Sequence, residues 1–153
     1  MKCRIIWFGK TRDPWIKAGI DEYGERVNRY LPLAIEELKD EKDAEATIGR
    51  RREGERLLKL VSPNAVLVVL DERGRQMDSV GFAEFLGKHR DNGTAELIFA
   101  VGGAYGFSDE VRARGALVLS LSAMTFTHQM VRPFLLEQLY RACTILNNEP
   151  YHH

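Results

Sequence analysis

Five short apolar runs alternate with longer amphipathic stretches along this chain, and that rhythm predicts strands alternating with helices. Cys3–Phe8 is an apolar run that stops at Gly9, a strand signature. Asp13-Pro14 then supplies an N-cap and a proline for the first helical position. Trp15, Ala18, Ile20, Tyr23, Val27 and Tyr30 follow at helical spacing until Pro32. Leu33–Leu38 reads as a second strand and Lys39–Ala46 as a polar loop. Ile48–Val61 carries a helical pattern that Ser62-Pro63 ends. Ala65–Leu70 is β-branched and apolar throughout, as strands buried on both faces of a parallel sheet are. It runs into Asp71-Glu72-Arg73-Gly74, a loop on composition.

Asp78 or Ser79 caps a helix through Phe82, Phe85 and Leu86, which stops near Asp91-Asn92-Gly93. The strand Glu96–Val101 follows. Ser108 caps a short helix with Asp109 and Glu110 in its first turn, where the helix dipole favours acids. Ala116–Leu121 is the last strand, and a long helix runs to about Asn147. Pro133 conflicts with that helix: either it begins near Arg132 or it kinks there. The whole pattern predicts one α/β domain over residues 1–153 with a mostly parallel sheet.

Charge narrows the functional classes. Lys and Arg number 22, as do Asp and Glu, so the formal net charge is zero. Such a chain is not a general polyanion binder and must meet nucleic acid through a local basic patch, shape or a groove built with a partner. Arg50-Arg51-Arg52 is the one short basic run; it reads as a solvated helix face, or as support on nucleic acid only if an interface places it beside the active site. Cys3 and Cys143 stand at opposite ends with no metal-ligand spacing, and no signal peptide precedes them, which predicts reduced thiols in a cytoplasmic protein. No apolar run approaches the ~20 residues of a membrane helix.

Three strand ends converge on one candidate ligand site: Leu70-Asp71, Val101-Gly102-Gly103 and Leu121-Ser122. The glycines do not form G-x-G-x-x-G, and no Walker lysine follows. Gly102, Gly103 and Gly106 therefore either make a simple turn or hold a ligand such as adenosine through backbone and apolar contacts. On pattern alone a small flavodoxin-like nucleotide-binding protein fits as well. His128 is a candidate base or a helix-start histidine bonded to backbone. Arg132 is favoured as a ligand for phosphate or a developing anion. Arg141 has that role or pairs with Glu137 four residues before it. Leu135, Leu139, Ala142 and Leu146 form an apolar stripe for a subunit interface or for the sheet. The terminal residues read as a frayed tail.

The segments LDERGRQMDS, LIFAVGGAYGFS, LSLSAMTFTHQMVR, EQLYRACTI and PYHH resemble the SPOUT methyltransferases, specifically the ribosomal large-subunit methyltransferase H family. IIWFGK and REGERLL extend the resemblance over essentially the whole chain. It implies a deep C-terminal trefoil knot, a rare exception to unknotted topology. It implies S-adenosylmethionine as cofactor, on Leu70, Gly102, Gly103, Leu121, Ser122, Ala123, Met124, Thr125 and Phe126. It implies methylation of N3 of a pseudouridine in the helix 69 loop of 23S rRNA, on the large subunit or the assembled ribosome, by a homodimer without metal. A non-catalytic ribosome-associated knot protein is the alternative within this resemblance. His128, Arg132, Arg141, Tyr151 and His152 are the implied catalytic set, with Tyr151 stacking on a base and His152 accepting the N3 proton. Two features depart from the family: Pro133 replaces a helix former, and His153 stands where a basic residue is common.

Overall fold

The computed structural model describes residues 1–153. It contains β1 (Lys2–Phe8), α1 (Pro14–Asn28), β2 (Leu33–Leu38), α2 (Ala46–Leu60), β3 (Val66–Gln76), α3 (Ser79–Asp91), β4 (Glu96–Val101), α4 (Asp109–Arg114), β5 (Leu117–Ser120) and α5 (His128–Leu146). The strands form one parallel sheet in the order β2-β1-β4-β3-β5. A flavodoxin-like sheet runs 2-1-3-4-5, so the exchange of β3 and β4 removes that reading.

Side-chain alternation divides the core into two layers. Cys3, Ile5 and Trp7 of β1 pack with Ile16, Ile20, Phe82, Leu135 and Leu139 of α1, α3 and α5. Ile6 and Phe8 pack on the opposite face with Leu57 of α2 and Val111 of α4. The stripe Leu135, Leu139 and Ala142 is thus spent inside the chain, on the sheet, and Leu146 reaches Gly87 of α3. Both cysteines are buried and unpaired. Burial, and for Cys3 the neighbouring Cys143, pushes the thiols up to about 12 and about 11, so both stay protonated.

Three expectations change. Asp71–Gly74 is not a loop: β3 continues to Gln76, and its pairing to β5 shifts register between Leu70 and Arg75, both opposite Leu119. The polar residues occupy the irregular stretch. There Gly74 lies against the β5 backbone so closely that a Cβ would sit 2.6 Å from the Val118 carbonyl oxygen. Second, α5 begins at His128 and includes Pro133, because Thr127 accepts from Met130 N–H and so sets the start earlier. Pro133 sits over Gly19 of α1, where a Cβ would be 3.4 Å away. Third, Asp13 occupies the N-cap position of α1 but makes no side-chain capping bond. The cap that sequence missed is Glu45, which accepts from Thr47 and Ile48 N–H at the start of α2.

No helix is long and apolar enough to cross a membrane.

Candidate active site

Because β4, β3 and β5 are parallel neighbours, their carboxyl ends lie side by side, with Leu70 opposite both Val101 and Leu119. All nine cofactor candidates therefore sit at one edge of the sheet. Gly102 and Gly103 follow β4 into a tight turn closed by Gly106 N–H donating to Gly103 O at 3.1 Å. A side chain on Gly102 would stand 3.1 Å from the Gly106 backbone, and Gly106 has φ +74°, so glycine is favoured at both places. After β5, Ser120 Oγ donates to Ser122 O at 2.8 Å and Ser122 Oγ accepts from Met124 N–H at 3.0 Å. These bonds shape Leu121–Phe126 into a defined loop. Between it and the end of β3 lies an open cleft of about 460 Å³, lined by Gln76, Met77, Asp78, Leu121, Ser122 and Ala123. Backbone groups, small side chains and exposed Met124 and Phe126 suit an adenosine-bearing ligand.

Sequence reasoning missed the residue that ties this loop down. Glu72 accepts a hydrogen bond from Thr125 Oγ1, joining the irregular part of β3 to the loop after β5. Its neighbour Asp71 faces inward and accepts from Arg73 and Arg112. Burial raises the Asp71 carboxyl, but these bonds outweigh it and hold the group below its ordinary range. A polar tetrapeptide read as a loop conceals both roles.

His128 opens α5 on this same side. Burial lowers its pKa first, and the cations Arg132 and Arg12 lower it further against a small opposing pull from Asp40. Its imidazole is neutral at pH 7 and able to accept a proton. An NMR titration should place its midpoint below the ordinary 6.5. The attached stability is complete above that value and is lost as pH falls through the folded-state pKa.

Arg132 is not placed as the sequence favoured. It is fully buried, with Nη1 donating to Thr11 Oγ1 and Nη2 to Phe8 O, each at 2.9 Å. Its guanidinium lies over the Trp7 ring at 4.8 Å, and Glu37 is 3.8 Å away. Burial pulls its pKa down to about 10, so it remains charged at neutral pH. The side chain has no exposed surface for a phosphate to reach, and its Nε stays buried without a hydrogen-bond partner. Arg132 instead fixes the loop between β1 and α1, which Gln129 also grips by donating to Lys10 O and accepting from Arg12 N–H. Arg132→Ala should cost about 2–4 kcal/mol in chemical denaturation, the lost packing being partly offset by removal of a buried charge.

The remaining candidates gather at the other end of α5. Asn148, at φ +55°, turns the chain back after the helix, and the tail docks rather than frays. Tyr151 packs against Tyr140 with centroids 4.6 Å apart and donates to Glu137 Oε1 at 2.9 Å. Arg141 donates to the same oxygen at 2.5 Å and lies over the Tyr151 ring at 4.7 Å. The expected pairing of Arg141 with Glu137 is present, and the same guanidinium also contacts the tail. Its Nη1 is 3.2 Å from Nδ1 of His152. Arginine only donates, so Nδ1 accepts and the neutral ring presents Nε2–H outward. His152 in this setting offers a donor, where the sequence suggested a proton acceptor. Arg141 lies thirteen residues beyond His128, about 20 Å along the helix at 1.5 Å per residue. One chain therefore does not bring His128 and the cofactor candidates together with Arg141, Tyr151 and His152.

A family model described as "Predicted SPOUT methyltransferase" matches residues 1–152. The chain is 79% identical over 153 residues to "Ribosomal RNA large subunit methyltransferase H" of Trichlorobacter lovleyi, covering 100% of both chains. Proteins of the same description from Pelobacter propionicus and Geobacter sulfurreducens are 61% and 58% identical, again over 100% of each chain. A crystal structure of the SpoU methyltransferase AviRb from Streptomyces viridochromogenes, in complex with AdoMet, aligns with 90% of this chain and 56% of its own, with TM-score 0.46 and 14% identity. With a family model matching residues 1–152 and relatives 79% and 61% identical over their full length, the chain belongs to the ribosomal RNA large subunit methyltransferase H family of SPOUT methyltransferases.

Proposed function

We propose that this protein methylates N3 of a pseudouridine in the helix 69 loop of 23S rRNA, using S-adenosylmethionine, as a homodimer acting in the cytoplasm on assembled ribosomes. The observation that carries the reading is the separation of the two half-sites. The cofactor loops and His128 are at one end of α5, while Arg141, Tyr151 and His152 are about 20 Å away. A two-fold dimer that sets the tail of one copy against the loops of the other completes both sites at once. Exposed Phe126 and Phe134, paired at 5.2 Å, and exposed Met124 are apolar groups available to that interface. The trefoil knot that the family implies would form at this C-terminal part of the chain.

When bound, S-adenosylmethionine supplies a methyl group on positively charged sulfur, activated for in-line displacement. The chain's own groups do the rest. Leu70, the Gly102–Gly103 backbone and Leu121–Phe126 hold the cofactor and exclude water. Neutral His128 accepts the N3 proton. Arg141, kept charged by Glu137, stabilises the uracil anion left behind. His152 donates from Nε2 to a uracil carbonyl, and Tyr151 borders the base. Arg132 acts only by positioning.

Tritiated methyl transfer tests the reading, with assembled ribosomes and free 23S rRNA from cells lacking the endogenous enzyme. Label on a pseudouridine in assembled ribosomes is the expected result. Absence of label on both substrates, with S-adenosylmethionine shown to bind, would favour the non-catalytic ribosome-associated protein.

A further inference from the structure

The basic run Arg50-Arg51-Arg52 has no part in the site above, yet the fold brings its first member to the glycine turn. Arg50 Nη1 donates to Tyr105 O at 3.4 Å and Nη2 to Thr47 Oγ1 at 3.4 Å. Arg51 lies 4.0 Å from Glu55 and Arg52 3.9 Å from Glu41, whereas Arg50 has no carboxylate within 4.0 Å. Glu45 turns its oxygens onto the N–H groups that begin α2. A half-buried guanidinium is thus held against the glycine turn with no carboxylate in salt-bridge contact, Glu45 acting on it only at longer range.

Tyr105 stands beside it, at the tip of the turn from Gly103 to Gly106. Its neighbours on either side are alanine and glycine, and its side chain packs against no other aromatic ring. The residue is 65% exposed at the turn that follows β4. Such a ring beside an arginine free of any salt-bridge contact is the pairing that receives single-stranded nucleic acid: a base stacks on the ring and its phosphate meets the arginine.

We infer that Tyr105 and Arg50 form an RNA docking point, where a base flanking the methylated nucleotide stacks on Tyr105 and an adjacent phosphate is held by Arg50. The inference rests on the rRNA methyltransferase reading. It adds a contact on the face of the sheet that carries α2, away from the face that carries α5. It also gives a chain of zero net charge a local cationic contact for RNA.

The test measures methylation of assembled ribosomes by the wild type, Tyr105→Ala, Tyr105→Phe and Arg50→Ala, with cofactor affinity measured separately by calorimetry. Tyr105→Ala should raise KM for ribosomes about tenfold and leave cofactor affinity unchanged, while Tyr105→Phe, which keeps the ring, should behave as wild type. Arg50→Ala should lower the salt dependence of ribosome affinity by about 0.7 in the slope of log K against log salt, the value for one single-strand phosphate. An active wild type with variants indistinguishable from it would overturn the docking point alone. A matching loss of cofactor affinity in Tyr105→Ala would also overturn it, assigning the ring to the cofactor. A wild type that labels no ribosomal RNA would overturn the reading beneath, and the inference with it.

Discussion

Gly74→Ala is expected to lose at least about 4 kcal/mol and to show no cooperative unfolding transition near room temperature. A Cβ there would stand 2.6 Å from the Val118 carbonyl oxygen and 2.7 Å from its carbon, distances at which one backbone must move. Neither segment is free to do so. Leu70 and Arg75 on either side are both registered against Leu119, and the Val118–Ser120 stretch pairs with β3 and leads into the cofactor loop. The displacement would reach Glu72 and release its hold on Thr125. Gly93 is the control. It has φ +73° but open space around a Cβ, so Gly93→Ala carries only the left-handed backbone cost of about 1 kcal/mol. Urea denaturation of the two variants separates the effect of a closely packed neighbouring strand from that of an ordinary turn.

Arg141→Ala should lower the rate of methyl transfer by about 100- to 1000-fold while leaving S-adenosylmethionine affinity unchanged. The guanidinium is the one cation joined to both Tyr151 and His152, and Glu137 aligns it from below. Its removal takes away the charge that stabilises the uracil anion and the hydrogen bond that sets the His152 tautomer. Arg141→Lys should not restore the rate, because a point charge cannot reach Glu137, the Tyr151 face and His152 Nδ1 together. His152→Ala should likewise lose turnover and spare the cofactor. Equal losses in turnover and cofactor affinity would instead place these residues in the cofactor half.

The alternation of apolar runs and helical faces was legible in the sequence because each element buries a regular face, as Cys3, Ile5 and Trp7 against Ile6 and Phe8 illustrate. The convergence of three strand ends was legible as apolar runs followed by glycines and small polar residues. Asp71–Gly74 was not, since its extended backbone is held by neighbours distant in sequence, with no apolar pattern of its own. Arg132 misled for a related reason. Arginine is rarely fully buried, and only the fold reveals Phe8 O, Thr11 and the Trp7 face around it. The tail read as frayed because its partners Glu137, Tyr140 and Arg141 lie on the preceding helix, reached only once Asn148 reverses the chain.

The central claim is that one copy's cofactor loops work with the other copy's Arg141, Tyr151 and His152, and subunit mixing tests it most directly. His152→Ala inactivates the tail, and a double substitution Ser122→Trp, Ala123→Trp fills the cofactor cleft. Each variant alone should be inactive on ribosomes. Unfolded and refolded together in equal amounts, they should recover about a quarter of wild-type activity, because half the dimers are mixed and each has one intact site. Activity no greater than that of the separate parents, with mixed dimers demonstrated by mass, would contradict the account and return both half-sites to a single chain.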